Sequence, residues 1–187
     1  MLHKEFPQIP VITISALSGQ GVDAWLDFVL QERSAGVRIT DVDYDEYAAG
    51  EAALGWLNAA VRLEASHPVD WRHFCLELMQ ALQREFQGQS AEIAHLKLHL
   101  TAGDESLTAN LTSSHGVPLL RGTITGQPRK GVLLVNARAH IAPEPLRTLV
   151  ERQLQAAGDG LQLTIEALQS FAPSRPQPLH RYNSVVS

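Results

Sequence analysis

Three groups of residues have types and spacings that could carry chemistry. The first is Ser15-Ala16-Leu17-Ser18-Gly19-Gln20-Gly21, which follows the β-branched run Pro10-Val-Ile-Thr-Ile14. A small side chain at Ala16 and relaxed glycines let backbone N–H groups come close to the edge of a flat ring, as a base-reading loop requires. The plainer alternative is an ordinary strand–turn–helix junction. The second group is His95, His99 and His140, set on the polar side of two alternating stretches. Imidazole is a ligand for a divalent ion such as zinc or cobalt. Yet two histidines four apart on a strand stand about 13 Å from each other, so a shared ion needs ligands from neighbouring strands. A polar sheet face carrying weakly basic rings is the favoured alternative. The third group is Asp41-Val-Asp43-Tyr44-Asp45-Glu46-Tyr47. Its aspartates match the first ligand positions of a calcium loop, but Glu46 stands where glycine is needed and Ala52 where the bidentate glutamate belongs. A solvated acidic linker fits better, with Tyr44 and Tyr47 as possible docking anchors.

Hydrolytic chemistry has no residue set behind it. There is no Gly-x-Ser-x-Gly elbow, and Ser114-His115 are chain neighbours, which on a strand face opposite ways. Cys75 falls on the apolar stripe of a helix, where a thiol is inert.

The elements that must position these residues follow from periodicity. Val22, Trp25, Leu26, Phe28, Val29 and Leu30 recur at helical spacing. With the run at 10–14 they predict a terminal strand–loop–helix unit over residues 1–33. Residues 34–50 read as an acidic connector. Residues 51–172 predict a domain of their own. In its first strand, 51–65, Leu57, Ala59, Val61 and Leu63 alternate with Trp56, Asn58, Arg62 and Glu64. Ser66-His67-Pro68 opens a helix whose stripe is Phe74, Cys75, Leu78, Leu82 and Phe86. Strands follow over 92–101, 106–112, 118–125 and 131–141, then a helix over 143–156 and a last strand over 161–169. Residues 173–187 read as a proline-rich tail expected to be extended.

The order β-α-β-β-β-β-α-β, with strands apolar on one side and polar on the other, predicts an α+β fold. Its form is a two-layer sandwich, a mostly antiparallel sheet with two helices on one face. The two helix-then-strand segments could be distant copies of one another. On the uncovered face Trp56, Asn58, Arg62, Lys97 and Arg138 would form a partner surface, to which Arg175, His180 and Arg181 of the tail could add. Trp56 and Leu134 protrude from it in a way that suits contact; simple solvation of the face is the alternative.

Composition narrows the choices. In 187 residues, 44% are hydrophobic and 19% charged, which is a globular balance. Fifteen basic residues against twenty acidic give a net charge of −5, with no basic stretch for a nucleic-acid backbone. No apolar run reaches the ~20 residues of a spanning helix, and a single cysteine excludes an internal disulfide. The expectation is a cytoplasmic protein that binds neither nucleic acid nor membrane.

Residues 4–30, with Phe6-Pro7, Ser15-Ala-Leu-Ser-Gly-Gln-Gly21 and Asp23-Ala-Trp-Leu26, resemble the end of a GTPase domain of the CobW-like metal-chaperone and cobalamin-synthesis family. The segment from Asp41 to Asn58 resembles the connector and first C-terminal strand of some members, and the tail from Phe171 to Arg181 is similar to segments of that group. The resemblance implies that Ser15, Ala16 and Leu17 are a vestigial guanine loop, and that the rest is a C-terminal regulatory domain. It departs from the family where the chemistry lies. No Gly-Lys-Ser/Thr phosphate loop, no Asn-Lys-x-Asp guanine reader and no Cys-x-Cys-Cys metal motif is present. The expectation is therefore a non-catalytic, partner-binding module, the separate or split C-terminal part of such a protein, requiring no cofactor. Its partner would be a GTPase domain or a second copy in a dimer. The alternative is a metal-handling accessory protein using the three histidines.

Overall fold

The computed structural model describes residues 2–5, 7, 9–16, 18–31, 42–157, 160–177 and 179. They fall into two compact units, one within residues 1–41 and 178–187 and one within 42–177.

In the first unit, α1 (Leu2–Glu5) precedes a loop and α2 (Val22–Gln31). The helix expected from Val22 is present, but the strand expected over 10–14 is not formed: those residues have no ladder partner. A strand is stable only when its N–H and C=O groups pair along a sheet, and the described residues of this unit supply no partner strand. Val11, Ile12 and Ile14 are accordingly exposed.

The second unit begins with α3 (Tyr44–Ala52), where the sequence suggested a connector running into a strand from residue 51. The Asp43 carboxylate explains the difference, because it caps the helix by accepting from the backbone N–H groups of Asp45 (2.8 Å) and Glu46 (3.1 Å). These two bonds, followed by the nearby Arg175 guanidinium, hold the Asp43 carboxyl below its ordinary value of 3.8. The helix buries none of its residues. Strand β1 (Gly55–Ala65) then starts at a position that excludes a side chain. A Cβ on Gly55 would lie 2.3 Å from the Ile141 carbonyl oxygen.

After β1 come α4 (Trp71–Gly88), β2 (Ile93–Ala102), β3 (Glu105–Leu111), β4 (Leu119–Thr123), β5 (Lys130–Ala139), α5 (Pro143–Ala156) and β6 (Leu161–Phe171). Helix α4 opens at Trp71 and not at Pro68, because Asp70 is the better cap; its carboxylate accepts from the His73 N–H at 2.9 Å. Its stripe of Trp71, Phe74, Cys75, Leu78, Met79, Leu82 and Phe86 is buried, as is Leu146, Leu149, Val150 and Leu154 of α5.

All strand pairs are antiparallel, in the order β4-β3-β2-β5-β1-β6. This is the two-layer α+β arrangement expected, with α4 and α5 packed on one face of the sheet. Within it, β1-α4-β2 and β5-α5-β6 interleave as a split βαβ pair, with the order β6-β1-β5-β2. The β3–β4 hairpin widens the sheet beyond β2. Alternating leucine, valine and alanine on β1, β2, β3 and β5, broken once in β2 between Ile93 and Leu96, supplies the sheet's half of the core.

Cys75 lies in that core and is fully buried. Burial pushes its thiol from 9.0 up to about 12. The unfolded chain releases this proton first, so the stability carried by the protonated thiol is intact below pH 9 and is lost as pH rises toward 12. The expected slope is up to about 1.4 kcal/mol per pH unit. Urea unfolding of the wild type and Cys75→Val should give parallel stabilities below pH 9 and diverging ones above it; curves that stay parallel would remove this assignment.

Candidate interaction surface

The side of the sheet opposite the helices is not covered by any described element of its unit. Register resolves it into cross-strand rows. At one end stands Phe171–Trp56–Arg138–His95. Next comes Gln169–Asn58–Asn136–Lys97–Asn110–Leu119. Then follows Ala167–Ala60–Leu134–His99–Thr108–Arg121, and beyond it Thr164–Arg62–Val132–Thr101–Ser106–Thr123.

The first row is a packed aromatic corner. The Trp56 and Phe171 rings lie 6.0 Å apart at 41°, and the Arg138 guanidinium carbon sits 3.8 Å from the centre of the Trp56 ring. The ring quadrupole attracts that cation, so Arg138 is held over the indole instead of extending into solvent. The indole N–H is buried with no acceptor. In the second row Asn136 Nδ2 donates to Asn58 Oδ1 at 2.6 Å. In the third, the His99 Nδ1 and Thr108 Oγ1 atoms are 2.9 Å apart. A register shift between Ala60 and Val61 makes Glu166 an extra residue of β6, and its carboxylate pairs with Arg62. Lys130 Nζ lies 3.6 Å from Glu64 Oε1.

Apolar side chains occupy the middle of this polar lattice: Val132 and Leu134 are 43% and 42% exposed, and Phe171 at the corner is 40% exposed. The chemistry available is that of contact: aliphatic area, cations and amides, with several of the polar groups tied to one another. Trp56, Asn58, Arg62, Lys97 and Arg138 all belong to this face as the alternation implied. Phe171 and Val132 were missed. Phe171 lay beyond the strand end read at residue 169, and Val132 sits where the pattern Val132-Leu133-Leu134-Val135 is apolar on both sides.

Arg175 is elsewhere. Its Nε donates to Asp45 at 2.5 Å, and its guanidinium lies 6.0 Å from the Tyr44 ring, so it ties the tail to α3 and not to the sheet. His180 and Arg181 lie outside the described residues.

The three histidines do not converge. His95 stands in the first row, 3.4 Å from Asn110 Oδ1, whereas His99 is two rows away. His140 follows the end of β5 and is exposed, with its backbone N–H donating to Glu92 O at 2.8 Å. Among the described residues no three His, Cys, Asp or Glu side chains are grouped to hold a metal ion.

In the loop of the first unit, Leu17 lies outside the described residues. Around it, Ser15 N donates to Gln20 O at 2.9 Å, Gly19 N to Ser15 O at 2.8 Å and Ser18 N to Ser15 Oγ at 3.3 Å. Those N–H groups are spent within the turn, so Ser15 acts here as a turn residue. Gly21 has φ +72°, and a Cβ there would meet the Thr13 carbonyl oxygen at 2.3 Å. That glycine serves the turn into α2.

Ser114, read from the sequence as incidental, is a buried bracket. Its Oγ accepts from the Ile93 N–H at 2.7 Å and donates to the Ala91 carbonyl at 3.2 Å. Gln83 donates to the carbonyls of Ser114 and Gly116, both at 2.9 Å, and Gln87 also donates to Ser114. His115 is exposed and its backbone N–H turns to Ser113 Oγ.

No helix among the described residues is long and apolar enough to cross a membrane. Comparison of the chain with protein-family models, with curated proteins and with solved structures finds no significant match to any of the three.

Proposed function

We propose that the unit of residues 42–177 is a non-catalytic docking module that binds a protein partner through the open face of its sheet. One observation carries this reading: Val132, Leu134 and Phe171 stand exposed on a face that the helices leave bare, among polar side chains of which Asn58–Asn136, Arg62–Glu166 and Lys130–Glu64 are paired with one another. Apolar anchors inside a polar rim are the anatomy of a contact surface. The paired members of that rim cost less to desolvate, because their hydrogen bonds are already made within the chain.

The resemblance of the chain's ends to CobW-like proteins is consistent with a regulatory role beside a GTPase domain. In that setting the chain contributes surfaces and leaves phosphate chemistry to its partner. A metal-handling role through His95, His99 and His140 is the weaker proposal, since the ring positions call for three separate sets of additional ligands.

Site-specific photocrosslinking in cells tests the docking reading. A benzophenone amino acid at Leu134 should give a discrete protein adduct, and the same probe at Arg147, on the exposed side of α5, should give none. Equal labelling from both positions, or none from Leu134, would refute it. So would GTP turnover by the purified chain that substitutions in residues 15–21 abolish.

A further inference from the structure

We propose that the open face takes the acidic helix α3 of a second copy of this chain, each copy presenting its helix to the other's sheet. The inference rests on the docking reading above and names its occupant. Charge points to it first. The face carries the cations Arg62, Lys97, Arg121, Lys130 and Arg138 against two carboxylates, Glu64 and Glu166, a balance of +3 in a chain of net −5. The remainder of the chain is therefore −8, the difference of those two values. A cationic face on an anionic protein attracts an acidic surface and repels a copy of itself.

Helix α3 has the matching chemistry. It carries Asp45, Glu46 and Glu51, with Asp43 at its cap and no basic residue. Nine residues are too few for a helix to be robust alone, and this one buries no side chain against its own unit. Among its supports are the Asp43 cap and the tie from Arg175 to Asp45. Tyr47, 52% exposed, supplies an anchor of the size that Leu134 and Val132 can receive. Within their own unit the sheet face is left open by the described elements and the helix is buried at none of its residues, and the two are opposite in charge. Reciprocal exchange makes the contact isologous, so it closes at two copies.

Single-stranded nucleic acid is the other macromolecule a cationic sheet face could hold. It is disfavoured here because the central exposed residues are aliphatic, and the one indole on the face is already covered by Arg138.

Sedimentation velocity of the full chain at low and high salt decides the matter. The expected result is a dimer at low salt that weakens at least tenfold at about 0.5 M salt. Lys97→Glu with Arg121→Glu should shift the chain to monomer, as should Glu46→Lys with Glu51→Lys. An equimolar mixture of these two variants should dimerise again, because one contact of the mixed pair is then wild-type and the other is restored with its charges exchanged. That rescue also shows both variants folded. A monomer under every condition would overturn the proposal, as would a dimer indifferent to salt and to both charge pairs. A dimer broken by Leu134→Asp but by neither charge pair would overturn the α3 assignment and leave the docking reading standing. Salt-sensitive binding of a fluorescent single-stranded oligonucleotide, lost in the Lys97→Glu, Arg121→Glu variant, would also overturn it.

Discussion

Trp71→Ala is expected to lower the unfolding free energy by about 3–5 kcal/mol and the melting temperature by about 6–20 °C. Trp71 is 1% exposed at the first turn of α4, with its ring edge-on to Phe74 at 5.8 Å and 90°. Its indole N–H donates to the Pro128 carbonyl at 2.7 Å, which pins the turn before β5 to the start of the helix. Alanine removes the ring volume and the bond together. Trp71→Phe separates them: it keeps most of the volume, leaves the Pro128 carbonyl without this donor, and should cost about 1–2 kcal/mol. Chemical denaturation of the three proteins checks the ordering. If Phe and Ala cost the same, the hydrogen bond and not the packing governs this corner.

Ser114→Ala is expected to cost about 1–3 kcal/mol, out of proportion to the loss of one oxygen. The hydroxyl meets the Ile93 N–H beside the place where the β2–β5 register shifts between Ile93 and His95. Without it a buried donor has no acceptor, and the Ala91 carbonyl loses its donor as well. Amide hydrogen exchange should report the change locally, with protection lost first at Ile93. His115→Ala serves as the control, since its exposed side chain should change stability by less than about 0.5 kcal/mol. Equal effects of the two substitutions would argue for a joint role of the pair and against the bracket.

Much of the 42–177 unit was legible because its strands alternate so cleanly. Leu57-Ala59-Val61-Leu63 and Leu133-Val135-Ala137-Ala139 read as inward faces in sequence and are inward in the fold. The helix stripes were equally plain. Boundaries were lost where a side chain and not the period sets the end. Asp70 moved the start of α4, and Asp43 turned an apparent linker into α3. The run at 10–14 shows the converse error, a strand-like composition with no neighbour to pair with. On the candidate surface, the polar members could be read from alternation, but their pairing could not. The Arg138–Trp56 stack and the Asn58–Asn136 bond join residues 82 and 78 positions apart, and only the register brings them together. Arg175 was assigned to the wrong neighbour for the same reason.

The two margins of the sheet are unequal. At one side β4 has five residues, and Gly122 within it adopts φ +86°. At the other, β6 runs eleven residues with Glu166 its sole charge and no proline. Backbone groups along a margin are templates for further strands, and a short, glycine-bent one templates poorly. Lateral addition to this sheet is thereby disfavoured at β4 and left to the β6 margin. Two molecules joined along that side would expose only their poor margins, so accretion stops at a pair and does not run on into a fibre.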